Sequence, residues 1–279
     1  NGVSRIHGRV SQEMFAKLYD GYYPSELHIG YVANGVHLPT WASKPWKQLY
    51  KKIFGEDYTQ KQTNFDMWKL INEVDDKTVW DSRKKLKKEL ITYLKVRLRE
   101  EMTKRQENPK LILDTIESLD DQTLTIGFAR RFATYKRAKL LFSNLERLEN
   151  LVSISGKPIQ FIYAGKAHPN DTQGQELIKK IIEISKTRAF TGKIIFVENY
   201  DLELAHMLIP GVDVWLNTPT RPLEASGTSG EKAVMNGVVN FSVLDGWWAE
   251  GYKEGAGFAI EEARTYANQQ FQDELDAEI

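Results

Sequence analysis

From Leu119 onward the chain repeats one pattern, a short continuous apolar run followed by a stretch of helical periodicity. The runs cover 124–129, 159–164, 194–197, 212–216 and 238–244, and helical stretches at 140–152, 175–185 and 202–208 lie between them. A strand that is apolar on both faces must be covered on both faces, and strands separated by helices return in the same direction. The pattern therefore predicts an α/β fold, a doubly wound parallel sheet of Rossmann-like type. In such sheets ligands bind beyond the carboxyl ends of the strands.

The first part of the chain reads differently. Residues 46–54, 64–73 and 79–106 have helical spacing, the last with Leu86, Leu90, Leu94 and Leu98 at every fourth position. Lys84, Lys85, Lys87 and Lys88 lie on this helix, and Glu89, Glu100 and Glu101 dilute them, so they read as a solvated face rather than a nucleic-acid patch. Near the start, Val10, Met14, Phe15 and Leu18 share one face of an expected helix, and 26–34 reads as a strand ending in the turn pair Asn34-Gly35. The expected organisation is 1–33 as the edge of an N-terminal domain, 34–118 as a crossover and helical segment, 119–263 as the Rossmann-like domain, and 264–279 as a terminal helix. A start without Met and a polar run from Glu261 with no stop signal read as a piece of a longer protein.

Composition excludes several chemistries. With 38 basic and 38 acidic residues, no global field recruits nucleic acid or a membrane surface. The chain has no cysteine, so thiol catalysis, disulfides and thiolate-bound metal are out, which fits a cytosolic setting. The five histidines have no metal-ligand spacing, and no metal site is expected.

The most informative loop follows the fourth run: Leu-Glu-Ala-Ser-Gly-Thr-Ser-Gly-Glu-Lys-Ala-Val-Met-Asn-Gly, residues 223–237. Gly227 and Gly230 would let the backbone approach a ligand, and Ser226, Thr228 and Ser229 would add hydroxyls at a helix start, a natural phosphate seat. Lys232 follows within about one turn. A nucleoside-triphosphate loop needs Gly-Lys-Ser/Thr, and here Lys232 sits between Glu231 and Ala233. A plain strand-to-helix turn with a solvated lysine and a phosphate-anchored cofactor tethered by that lysine both remain open.

These residues resemble the cofactor loop of the glycogen and α-glucan phosphorylases, in which the lysine at the position of Lys232 carries pyridoxal phosphate as a Schiff base. Further segments resemble the same family in the same order: Asn1-Gly2-Val3 with Ile6-His7, 34–41, 130–137, Gly165-Lys166-Ala167-His168-Pro169, and Glu198-Asn199-Tyr200. Trp247-Trp248-Ala249-Glu250-Gly251-Tyr252 looks more like a bacterial branch. The resemblance implies a two-domain GT-B glycosyltransferase that phosphorolyses α-1,4-glucan reversibly to glucose 1-phosphate, with retained configuration.

Residue by residue, the resemblance makes Arg131 and Lys136 hold the substrate phosphate. Arg130 stands near the cofactor phosphate, where the family usually has Lys. Gly227 and Thr228 anchor that phosphate, and Tyr200, Tyr135 and Trp41 lie by the cofactor. Asn1, Glu224 and Ser226 contact substrate. The residues alone also allow blander readings: a helix cap for Asn1, core packing for Trp41, a surface-paired charged loop for 130–137, and a helix-terminal carboxylate for Glu224. Asp201 departs from an Arg common in the family, and Glu231 replaces an apolar residue. Implied partners are glycogen or maltodextrin, inorganic phosphate and glucose 1-phosphate, with a homodimer left open. Two rival functions stay open as well: a nucleotide-sugar glucosyltransferase resembling glycogen synthase, and a non-catalytic glucan-binding module.

Overall fold

A computed structural model of the chain describes residues 1–154, 156–261 and 264–279. Six strands form one sheet: β1 (Leu124–Ala129), β2 (Ile159–Ala164), β3 (Ile194–Val197), β4 (Val214–Asn217), β5 (Val239–Val243) and β6 (Gly257–Ile260). Their order is β3-β2-β1-β4-β5-β6, and every neighbouring pair is parallel. The chain winds outward from β1 to β3, then returns to lay β4 on the other side of β1, with Ile126 opposite Val214 and Gly127 opposite Trp215. The Rossmann-like α/β expectation is met. The crevice between the β1 and β4 ends is the topological switch point, where such sheets bind ligands.

Both faces of the sheet are covered, as the continuous apolar strands require. On one side the long helix Asp76–Lys104 lays Leu90, Ile91, Leu94 and Leu98 against Leu204 and Leu208 of helix Leu202–Gly211 and against Ile162, Ile195 and Trp215 of the sheet. On the other, Phe128, Phe161 and Tyr163 pack against Leu148 and Val152 of helix Leu145–Val152 and Ile181 and Ile184 of helix Thr172–Ser185. A third cluster joins Trp46, Leu49, Tyr50 and Phe54 of helix Lys44–Phe54 to Met67 and Leu86.

Several local expectations are corrected. The segment 26–34 forms no strand: a short turn at Pro24–Glu26 is followed by a single bridge between Gly2 and Tyr31. It finds no further strand to extend the pairing, and β-structure needs a partner ladder. The helix Arg5–Phe15 is present, but its cap is Ser4, which accepts from the His7 N–H, and not Asn1. Met14 and Leu18, expected on a packed face, are 66% and 73% exposed. The long helix is not solvated along its whole basic face. Lys87 is buried and pairs with Asp213 at 2.5 Å, while the buried Arg83 donates to the carbonyls of Pro210, Val212 and Asn236.

β6 escaped the sequence pattern because it is four residues long and lies at an edge, with Phe258 60% exposed. The terminal helix spans Gln269–Glu278, and the boundary expected at 263 lies outside the described residues. No helix among the described residues is long and apolar enough to cross a membrane.

Candidate active site

The loop leaving β1 is fixed before its side chains are aimed. The Arg130 N–H donates to the Ala164 carbonyl at 3.2 Å and the Phe132 N–H to Lys166 at 3.0 Å, stitching it to the loop after β2. Gly165 makes this approach possible: a Cβ there would lie 2.0 Å from the Arg130 carbonyl oxygen. Phe132 is buried and anchors the far side. The glycine of Gly-Lys-Ala-x-Pro thus serves the neighbouring loop, while His168 is exposed.

The four cations between 130 and 137 then part company. Arg130 and Lys136 turn inward to one carboxylate, Glu224, on the loop after β4. Arg130 Nη2 donates to Glu224 Oε2 at 2.6 Å, and Lys136 Nζ donates to the same oxygen. Arg137, in the left-handed backbone region at φ 50°, is buried and structural. Its guanidinium donates to the Thr218 and Pro219 carbonyls at 2.8 and 2.9 Å and pairs with Asp273 and Asp276 of the terminal helix at 3.1 and 2.5 Å. Arg131 is exposed and bonds no described residue through its side chain. The structure does not join it to Lys136. A single dense basic loop is therefore split three ways by geometry.

Glu224 is 8% exposed. Burial by itself would push its carboxyl up, but the charges of Arg130 and Lys136 outweigh that and hold it below the usual carboxylate range. Its backbone N–H donates to Asp245 Oδ2 at 2.8 Å. Asp245, at the end of β5, is pushed up to about 6, chiefly by burial. In sequence the pair Asp245-Gly246 resembles the family pattern and reads as structural, and the bond to the Glu224 backbone gives it that kind of role. Among the described residues, Arg130 Nη1 and Ser226 Oγ at this site are buried without a hydrogen-bond partner.

Lys232 lies in helix Thr228–Val234, which starts from Gly227 in the left-handed region at φ 83°. Its ammonium sits 3.9 Å from the centre of the Trp41 ring, and Trp41 stacks on His206. Burial lowers the amine's pKa, against the opposing pull of Glu231. Glu231 is itself raised to about 7, mainly by burial. Asn236, fully buried, ties these parts together: Nδ2 donates to the Trp41 and Lys232 carbonyls at 2.9 and 2.8 Å, and Oδ1 accepts from the Ser43 N–H at 2.7 Å.

Not every feature of the loop serves a ligand. At Gly230 a Cβ would lie 2.7 Å from Asn240 Oδ1 and 2.8 Å from Trp247 Nε1, so that glycine lets the helix pack on β5 and Trp247. The Ser229 hydroxyl accepts from Trp215 Nε1 at 3.1 Å. Ser226, Gly227 and Thr228 remain at the crevice, the last two half-buried. Tyr200 is half-buried, packs against the helix-side core, and has its hydroxyl pushed up to about 12 by burial. Tyr135 lies under the Lys136 ammonium, 4.7 Å from ring centre to nitrogen. Asn1 is exposed and makes no hydrogen bond to Glu224, Ser226 or Lys232.

The family model for carbohydrate phosphorylases matches residues 1–254. A glycogen phosphorylase of Aquifex aeolicus is 44% identical over 93% of this chain and 37% of its own length. A maltodextrin phosphorylase of Thermococcus litoralis is 41% identical over 93% of the chain and 31% of its own. A glycogen phosphorylase of Mycobacterium bovis is 41% identical over 99% of the chain and 32% of its own. The chain thus spans about a third of the length of these relatives. With its switch-point crevice, its inward cations and a match over nearly all of its residues, the chain belongs to the carbohydrate phosphorylase family.

Proposed function

We propose that this chain is the phosphate- and cofactor-binding part of an α-glucan phosphorylase of GT-B architecture. The reaction is reversible cleavage of α-1,4-glucan by inorganic phosphate to glucose 1-phosphate with retention. One observation carries the reading. Arg130, Lys136 and Glu224 converge at the β1–β4 switch point, on the side where Ser226, Gly227 and the Lys232 helix begin.

The residues present fit pyridoxal phosphate. The unpartnered Arg130 Nη1 and Ser226 Oγ are a donor and a hydroxyl suited to a phosphate, and Gly227 leaves backbone open beside them. Lys232, with its lowered pKa, is the amine that would tether the ring, and Trp41, Tyr135 and Tyr200 would bound it. When bound, the group would supply a phosphate able to exchange a proton with the substrate phosphate.

The chain's own residues do the rest. Lys136 and Arg130 offset the charge of anions brought close together, a large term in a dry site. Arg131, reaching from the exposed side, completes the substrate-phosphate grip, Glu224 takes sugar hydroxyls, and Asn1 approaches the sugar from the other domain. A cytoplasmic location and a homodimer complete the reading.

Borohydride reduction of the full-length protein followed by peptide mapping tests it, with a pyridoxyl group on Lys232 expected. Unmodified Lys232 with tight nucleotide-sugar binding would establish the glucosyltransferase reading instead. Carbohydrate binding without cofactor or turnover would establish the binding module. Because the chain spans about a third of its relatives, the isolated 279 residues should release no glucose 1-phosphate from glycogen.

A further inference from the structure

Among the described residues the Lys232 amine makes no ion pair and no hydrogen bond, and what it meets is a ring. The ammonium lies 3.9 Å from the centre of the Trp41 indole. An indole face attracts a cation through its quadrupole, and the attraction lasts only while that face stays turned to the charge. Whatever fixes the plane of Trp41 therefore fixes the place of the amine.

Trp41 does not fix its own ring. It ends the four-residue helix Leu38–Trp41, and its carbonyl accepts from Asn236 Nδ2 at 2.9 Å. That bond sets the main chain and leaves the indole plane to its neighbours. The indole stacks on His206, with ring centres 4.7 Å apart and planes 20° from parallel. His206 belongs to the helix Leu202–Gly211, whose Leu204, Ala205, Leu208 and Ile209 are buried in the helix-side core. A core-anchored element thus carries the imidazole, and a short one packed against that core carries the indole. The direction of control follows: the histidine orients the tryptophan. A flat ring stacked on the indole holds its plane, where an aliphatic side chain of like volume would let it tilt.

We infer that His206 is a positioning residue for the Lys232 amine: stacked on Trp41, it fixes the indole face on which the ammonium rests. This deepens the cofactor reading above and rests on it only for the use made of the amine. The seat favours the ammonium where burial disfavours it, and so holds the free side chain in one place.

Trace acetylation of the full-length protein, treated with hydroxylamine to free any lysine held as a Schiff base, tests the inference. Peptide mapping gives the labelling rate of each lysine across pH. The rate follows the fraction of free amine, so a lost contact with the ring lowers the midpoint of the Lys232 profile and raises its rate at neutral pH. Trp41→Leu should raise that rate about two- to tenfold. His206→Ala should raise it about twofold or more, and His206→Phe, which keeps the stack, should restore the wild-type profile. Lys136 and Lys166 should label as in wild type throughout, which separates a displaced amine from a loosened fold. An unchanged Lys232 profile in Trp41→Leu or His206→Ala overturns the inference. So does a phenylalanine variant that behaves like the alanine one, or a rise at Lys232 no larger than at the other two lysines. The pyridoxyl label on Lys232 is read separately: its absence sinks the cofactor reading and leaves the acetylation result standing.

Discussion

Asn236→Ala should loosen the ceiling over Lys232 and destabilise the whole chain. Three backbone groups depend on this side chain: the carbonyls of Trp41 and Lys232, at 2.9 and 2.8 Å, and the N–H of Ser43, at 2.7 Å. The Lys232 carbonyl lies in the last turn of its helix, where the Asn236 N–H has turned instead to Ala233, so the Asn236 side chain donates in its place. Each group stranded without a partner costs ~1–3 kcal/mol. Trp41 and Ser43 are only half-buried, which argues for the low end and a total of about 3 kcal/mol. At roughly 2–4 °C per kcal/mol for a domain of this size, the melting temperature should fall by about 6–12 °C.

Urea unfolding measures the loss, and hydrogen exchange at the Ser43 amide reports the local opening. Asn236→Asp keeps the acceptor for Ser43 but turns an oxygen toward two carbonyls, and should be at least as damaging as alanine. A loss under about 1 kcal/mol with Ser43 still protected would refute the reasoning, because the three bonds would then be replaceable by water at no cost.

Gly237→Ala should cost at least about 2 kcal/mol in the urea midpoint: φ there is 69°, and the new Cβ would sit 2.3 Å from the Trp46 ring. Arg97 donates to the Glu198 and Asn199 carbonyls at 2.9 and 3.0 Å, with Asn199 at φ 52°, so Arg97→Lys should speed hydrogen exchange at 198–201 several-fold without unfolding the sheet. Asp245 supplies a pH signature. Its carboxyl is raised from 3.8 to about 6, so the stability it contributes is full below pH 4 and is lost as pH rises to about 6. Subtracting Asp245→Asn unfolding curves from wild type across that window should show a fall of roughly 3 kcal/mol, and a flat difference would contradict the buried carboxylate.

How much of this was legible in the chain depended on how local each cause is. β1 to β5 announced themselves because a strand covered on both faces is apolar throughout, and no partner need be known to see it. β6 did not, since an edge strand of four residues with one face in water carries no such mark. The site was legible as composition and not as geometry. Four cations in 130–137 were plain, yet their division among Glu224, the terminal helix and solvent follows from Gly165 and Phe132 fixing the loop's path. Lys87 misled for the same reason: its partner Asp213 lies 126 residues away, and nothing within the helix signals it.

The long helix has a consequence for how the polypeptide is made. Asp76–Lys104 is complete before β1 begins, but Arg83 and Lys87 close on Pro210 and Asp213, 127 and 126 residues further on. At roughly 5–20 residues per second, a ribosome needs about 6–25 s to deliver those partners. Leu86 can pack at once on Trp46 and Met67, whereas Leu90, Leu94 and Leu98 lack Ile162, Ile195, Leu204, Leu208 and Trp215 until those residues follow in turn, so the helix is covered in stages.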